Sequence, residues 1–369
     1  MCDAAPSQAC LLPSPGISII IPVFNRAQDL AVALAAIIRQ AEQFSNVEIL
    51  ICDDGSTDDI GSTIEQFMAS HGAIVRYMRQ LHGGAASARN LGIAHARGEL
   101  LLFTDSDCEP LEGWLETIVA EFQDQRIGLV GGAIEGRQSR YLSGQCLNFL
   151  MSSSLGAAGA RNPRAMLHMK YYPRAGNMAV RAELARRAGG FPLAAFGEDL
   201  AFGRQIELLG AEIRYCPGAK VVHHERRSLQ QAFIQAAGKG AARVRLARRH
   251  GQHQWLHVLP ALLYLYLLAL PFIMGVLGWA STLWLVPALI YAVSLLLLGA
   301  QGARALKRPS AFPAVIAYAL ALHLGYGLGY MIELCRTMAV NSGSLFKPLL
   351  LRCPTSTANP NTSRKPSHM

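Results

Sequence analysis

Apolar residues in the first third of the chain come in short runs divided by stretches of helical spacing. Ile17–Phe24 (ISIIIPVF), Val47–Cys52 (VEILIC), Ala73–Met78, Leu100–Thr104 and Ile127–Ile134 are rich in β-branched and aliphatic side chains. Runs of this length and composition predict strands buried on both faces of a sheet. Leu30–Ile38, Ile60–Phe67, Ala85–Ala96 and residues 111–123 carry their apolar positions three and four apart, which predicts helices between the strands. Regular alternation of this kind predicts βαβ units with right-handed crossovers, hence an α/β fold with a mostly parallel sheet flanked by helices.

The pattern changes in the second half. A helix is predicted over 199–209, preceded by Gly197-Glu198-Asp199, and Lys220-Val221-Val222 reads as a strand. Residues 228–249 place Leu229, Phe233, Ala236, Gly240, Val244 and Ala247 on one face, with Lys239, Arg243, Arg245, Arg248 and Arg249 elsewhere. No acidic residue accompanies them, and the segment predicts a basic amphipathic helix lying on anionic lipid. Leu256–Leu277, Trp279–Leu298 and Phe312–Ile332 contain no Asp, Glu, Lys or Arg. As helices they would be about 30–33 Å long, enough to cross a bilayer. Three transmembrane helices are expected; a re-entrant hairpin is the alternative for the first two. The expected organisation is a loose tail at 1–15, a catalytic domain at 16–227, an interfacial helix at 228–250, a membrane region at 256–335 and a disordered tail at 353–369.

Charge sharpens this picture. The net formal charge of +9 divides into −5 over residues 1–225, +7 over 226–255 and +7 over 256–369. The basic excess therefore accompanies the membrane-like part, which argues for an anionic bilayer as partner and against nucleic acid. Arg304, Lys307 and Arg308 before the third span fit a cytoplasmic loop. Eight scattered cysteines with no C-x-x-C pair suit a reducing compartment. No charged leader precedes the first apolar run, since Arg26 is the first basic residue. The expected location is the inner (cytoplasmic) membrane, multi-pass, with the catalytic domain in the cytoplasm.

Candidate chemistry lies at the ends of the predicted strands. The fourth strand stops abruptly at Asp105-Ser106-Asp107, and the second at Asp53-Asp54-Gly55-Ser56. Carboxylates at the C-terminal ends of parallel strands sit where open α/β sheets bind ligands. Two hard oxygen ligands one residue apart suit Mg²⁺ or Mn²⁺ together with a diphosphate. The loop His82-Gly83-Gly84 runs into a helix that carries Arg89 and Asn90, an arrangement that can bring backbone N–H groups to phosphate. After the first strand the chain reads Pro22-Val23-Phe24-Asn25-Arg26, with neither G-x-G-x-x-G nor G-x-x-x-x-G-K-[ST]. That argues against a dinucleotide dehydrogenase and a P-loop NTPase.

In order, Pro22-Val23-Phe24-Asn25, Asp53-Asp54-Gly55-Ser56, Gly83-Gly84 before Ala88-Arg89-Asn90, and Asp105-Ser106-Asp107 resemble a family 2 glycosyltransferase with the GT-A fold. Gly176-Asn177-Met178, Gly189-Gly190-Phe191, Gly197-Glu198-Asp199 and Val221-Val222-His223 continue the resemblance, which covers about residues 16–250. It implies a nucleotide-diphospho-sugar donor, UDP-linked by first choice, and a Mg²⁺ or Mn²⁺ cofactor. Donor binding would fall to Pro22, Val23, Asn25, Asp54, Arg89 and Asp105. Asp107 would be the direct metal ligand, with Asp105 on ribose or metal-bound water. His223 would complete the metal shell or serve a structural role. Gly176 and Asn177 would flank the acceptor pocket or form a turn. Asp199 would be the base of an inverting transfer, with Glu198 binding the acceptor or orienting the site. Processive relatives carry Q-x-x-R-W on the interfacial helix; here Gln235 is followed by Ala236-Ala237-Gly238-Lys239. The expectation is one sugar added to a lipid-linked or other membrane-associated glycan acceptor in cell-envelope synthesis. The alternatives are a short processive polysaccharide synthase and an inactive nucleotide-sugar-binding scaffold.

Overall fold

The structure, a computed structural model, describes residues 16–72, 74–135, 139–157, 171–193, 197–224, 227–250 and 255–341. The expected tails at 1–15 and 353–369 lie outside the described residues. Strands β1 (Ile17–Val23), β2 (Val47–Asp53), β3 (Val75–Arg79), β4 (Leu100–Thr104), β5 (Cys108–Pro110), β6 (Ile127–Glu135), β7 (Asn177–Arg181) and β8 (Glu212–His223) form one sheet. Its order is β3-β2-β1-β4-β7-β6-β8-β5. The first four strands of that order are parallel, as expected. The other half is mixed: β7 runs antiparallel to both β4 and β6, β6 pairs parallel with β8, and β5 runs antiparallel to β8.

Period-two alternation fills both faces of the sheet. Ile17, Ile19, Ile21, Ile49, Ile51, Leu100 and Leu102 face one core, against helices α1 (Ala27–Ala41), α2 (Ile60–His71) and α4 (Trp114–Ala120). Ile20, Leu50, Cys52, Leu101 and Phe103 face the other, against α3 (Ala85–His95), α7 (Ala182–Arg187) and α8 (Glu198–Leu208). Two-sided burial explains why these strands read as continuous apolar runs rather than alternating ones. Asn177 is the polar exception at the start of β7. Its side chain accepts a hydrogen bond from Trp114 Nε1 at 2.8 Å and donates to the carbonyls of Ala133 and Ala219 at 2.8 and 3.0 Å. It is fully buried. Asn177, expected to flank the acceptor pocket, thus has its carboxamide tying β7 to α4, β6 and β8, and it does not line the cavity at the sheet rim.

A third apolar cluster lies away from the sheet. It joins α5 (Leu142–Ser152), α9 (Leu229–His250), α11 (Val286–Leu306) and α12 (Ala311–Asn341). Helix α6 (Ser154–Ala157) follows α5, and α10 (Leu259–Leu277) precedes α11. Leu259–Val276, Thr282–Leu306 and Ala311–Met338 are long and apolar enough to cross a membrane. Gly278–Leu285 forms a 3-10 stretch before α11, and both later spans run several residues further than expected.

The basic helix has a partner that its spacing did not reveal. Helix α9 runs beside α12 in the same direction, from Arg227 against Tyr318 to Arg245 against Glu333. Small residues let the backbones approach: a Cβ on Gly240 would strike the Tyr326 carbonyl, and one on Gly329 the Ala237 carbonyl. Close approach through small residues is how apolar helices associate without help from the hydrophobic effect. Arg245, expected to have no acidic partner, lies 3.1 Å from Glu333.

Gly329→Val should therefore wedge α9 from α12 and cost about 1–3 kcal/mol of stability. Gly275→Ala, where an added Cβ meets nothing within 4 Å, should be neutral. Thermal unfolding of the two variants in one detergent checks the contrast.

Candidate active site

The C-terminal rim of the sheet brings distant segments around one cavity of about 800 Å³. Pro22 and Val23 line it from β1, Asp54 from the end of β2, and Arg89 from α3. Asp105 and Asp107 enter from the turn after β4, Gly176 from the residue before β7, Glu198 and Asp199 from α8, and His223 from the end of β8. The five carboxylates singled out from the sequence thus share a single cavity.

Each is held differently. Asp54 is 2% exposed. Its Oδ1 accepts hydrogen bonds from Gly83 N at 2.8 Å and Gln80 Nε2 at 2.7 Å. Its Oδ2 accepts from Gly84 N at 2.8 Å and faces His82 Nδ1 at 2.9 Å. The carboxylate therefore fixes the glycine-rich loop ahead of α3; the loop's N–H groups point to Asp54. Arg89, one turn into α3, is buried and bridges two of the other acids: Nη2 lies 2.7 Å from Asp105 Oδ1 and Nη1 3.4 Å from Glu198 Oε1. Its guanidinium also stacks over the Phe191 ring at 5.4 Å.

Asp107 faces Arg26 and His223. Arg26 Nη1 lies 2.9 Å from Oδ2 and His223 Nε2 3.2 Å from Oδ1. Burial works against its ionisation, but His223, Arg26 and Arg227 outweigh it and hold the carboxyl well below the usual range. Strand register makes this cluster: β5 pairs with β8 so that Cys108 stands opposite His223. His224 faces away, its Nε2 2.8 Å from Glu109 Oε2. Ligand atoms of Asp107, Cys108 and His223 all lie within 4.8 Å of one another. A carboxylate oxygen and an imidazole nitrogen at this spacing fit a divalent cation of the Mn²⁺ type.

Glu198 and Asp199 open α8, where the helix dipole favours acids. Gly197 before them has φ +84°, a left-handed conformation that an L side chain adopts only with strain. Asp199 Oδ2 lies 3.2 Å from Arg174 Nη1, and its Oδ1 accepts from Leu200 N at 2.8 Å. Burial first, then the neighbouring Asp199, push the Glu198 carboxyl up, with Arg89 opposing them.

One further expectation changes. Asn25 does not line the cavity. With φ +52° it turns its Oδ1 to accept from Thr57 N at 2.7 Å and Asp58 N at 3.2 Å, tying the β1 loop to the β2 loop. Asn90 grips Phe191 through both of its polar side-chain atoms, at 2.8 and 2.7 Å, rather than facing the cavity. Conversely, Arg26 and Arg174 were passed over in the sequence and contact the two central acids. The signal was adjacency: Arg26 follows Asn25, and Arg174 stands two residues before Gly176.

The raised Glu198 carboxyl gives a pH signature. A carboxyl whose proton affinity the fold raises costs stability as pH climbs above its ordinary value of 4.5, until the folded carboxyl also ionises. Glu198→Gln removes that cost, so its stability relative to the parent should improve as pH rises from 4.5 toward 7 and then level off. Thermal unfolding across that range checks it, and a pH-independent difference would contradict it.

Comparison with known proteins agrees with this geometry. Residues 18–171 match the family model described as glycosyl transferase family 2, and residues 100–322, more than half the chain, match glycosyl transferase family group 2. Glycosyltransferase AglE of Haloferax volcanii is 35% identical over 121 residues, covering 33% of this chain and 40% of that protein. The pre-mycofactocin glycosyltransferase of Mycobacterium tuberculosis is 30% identical over 243 residues, covering 63% of this chain and 48% of its own. The chain thus spans less than half the length of these curated relatives. Among solved structures, the mannosyltransferase PcManGT from Pyrobaculum calidifontis, in complex with GDP-Man and Mn²⁺, shares the fold with a TM-score of 0.53 at 20% identity over 87% of each chain. By its sequence match over most of its length, with a fold and a rim of acids in keeping, the chain belongs to glycosyltransferase family 2.

Proposed function

We propose that this chain is a membrane-associated glycosyltransferase that moves one sugar, with inversion, from a nucleoside-diphosphate-sugar to a hydroxyl of a membrane-associated acceptor. The observation that carries the reading is one cavity holding both the Asp107–His223 cluster and Asp199 at the ligand edge of the sheet. The GDP-Man and Mn²⁺ of the Pyrobaculum neighbour support a donor and cation of this class; UDP is our first choice of nucleotide.

Asp107 and His223 would hold the divalent cation, with Asp105 close by. When bound, the cation would neutralise the charge that builds on the departing diphosphate. Arg89 keeps Asp105 and Glu198 at fixed places on the two sides of the cavity. Asp199 then takes the acceptor proton as its oxygen attacks the anomeric carbon. The other acids lining the cavity are engaged: Asp54 by the loop, Asp105 and Glu198 by Arg89, Asp107 by Arg26 and His223. Asp199, whose partner is Arg174 at 3.2 Å, is our choice of the one base, and a single displacement with inversion needs no covalent nucleophile beside it. The three apolar helices and basic α9 support an inner-membrane location with the catalytic part in the cytoplasm. The sequence after Gln235 supports single transfer rather than polymer synthesis.

Asp199→Asn should lower transfer by about 10³-fold or more while leaving the donor's Kd within about threefold, because general-base catalysis acts in the transition state. Release of nucleoside diphosphate from a donor panel, beside calorimetric donor binding, checks both halves. Normal turnover by the variant would overturn the assignment of the base.

A further inference from the structure

The cavity continues beyond the sheet rim. Past Asp199 it passes between α9, α12 and the start of α10, where Lys239, Arg243, Leu246, Leu256, Leu259 and Tyr326 line it. Leu259 lines the cavity and is also 46% exposed at the foot of the first candidate span. This lobe therefore opens sideways, toward the apolar surface of α10.

The charges here are unusual. Arg243 is half-buried on α9, and burial lowers its affinity for the proton; the Tyr326 hydroxyl and Asp199 offset this, while Arg174 repels it. A cation in low dielectric is costly unless a counter-charge meets it. Among the acids lining the cavity, Asp199 is the one not engaged by Arg89, by the Arg26–His223 pair or by the glycine-rich loop. Arg174, Lys239 and Arg243 thus converge on the side where Asp199 is the available carboxylate, and Arg174 already occupies it at 3.2 Å. A base in an ion pair with arginine is poorly placed to take a proton.

We propose that this lobe binds a phosphate or diphosphate group borne by a lipid-anchored acceptor, held by Arg174 and Arg243, and that this anion draws Arg174 away from Asp199 and so frees the base. The inference rests on Asp199 as base and on a membrane-associated acceptor. Arg174 is a positioning residue in this scheme. The acceptor's own hydroxyl gives its proton to Asp199 and its oxygen bonds to the anomeric carbon, while the donor's diphosphate leaves. The anion also lends specificity: an acceptor without it would leave Asp199 paired.

The test uses the full chain in detergent with saturating UDP and Mn²⁺, so that the donor side is filled. Farnesyl diphosphate, followed by thermophoresis, is the probe. It should bind, and Arg243→Gln should weaken it about tenfold while Arg243→Lys stays within about threefold, as for a charge-assisted contact. Farnesol should bind about tenfold more weakly, as the loss of a charged contact implies. Equal binding by Arg243→Gln would overturn the site, and inorganic pyrophosphate binding as tightly as farnesyl diphosphate would overturn its lipid character. Arg174→Gln should raise acceptor-free donor hydrolysis at least about threefold, because its base is released; no rise would overturn the release step. UDP affinity in the same preparation reports on the donor site separately. If UDP binds and the probe does not, the lobe proposal falls alone.

Discussion

The site depends on one buried guanidinium. Arg89 reaches from α3 to Asp105 at the end of β4 and to Glu198 at the start of α8, segments more than ninety residues apart in the chain. Two carboxylates facing one cavity would repel, and burial would force one to stay neutral; a cation between them lets both keep fixed positions. The guanidinium is itself fixed by the ring of Phe191, which packs on Phe103 of β4 and Phe202 of α8. The rim thus inherits its geometry from the apolar core beneath it. Removing one member of such a buried set typically costs about 3–5 kcal/mol, because the others are left uncompensated.

The same logic extends to the membrane side. Helix α9 carries the basic residues that the sequence would spread over lipid, yet its small residues seat it along α12. That packing turns Lys239 and Arg243 inward to the cavity and leaves Arg245 for Glu333. A helix that would otherwise only anchor the protein becomes a wall of the site. The sheet rim and the lobe beside α9 and α12 are two ends of one cavity.

How far the chain could be read without coordinates depended on locality. Continuous apolar runs mark two-sided burial, so the strands of the parallel half were legible, as were the acids at their ends. Strand direction was not: β7 carries no sign in its residues that it runs against β4, and the three residues of β5 are too few to show any period. Asn177 misled because a Gly-Asn pair looks like a turn, while the three partners that justify a buried carboxamide lie at Trp114, Ala133 and Ala219. Asn25 misled in the same way, its partners lying about thirty residues on. Arg26 and Arg174 escaped notice because a lone arginine is ordinary on a surface; only the tertiary approach to Asp107 and Asp199 makes them part of the site. The contact of α9 with α12 could not be read because helical spacing shows that a face is small and apolar, and not what covers it.

The central claim is that the acids at the rim, with His223, hold a cation that binds a nucleoside diphosphate. Calorimetric titration of UDP into the purified chain, with Mn²⁺ and after chelation, tests it most directly, with Asp107→Ala alongside. The account predicts tight binding with Mn²⁺, and a loss of about a hundredfold or more on chelation or in the variant, as removal of a ligand from a metal-bridged site implies. Equal affinity with the metal stripped, or undiminished metal-dependent binding by Asp107→Ala, would contradict it.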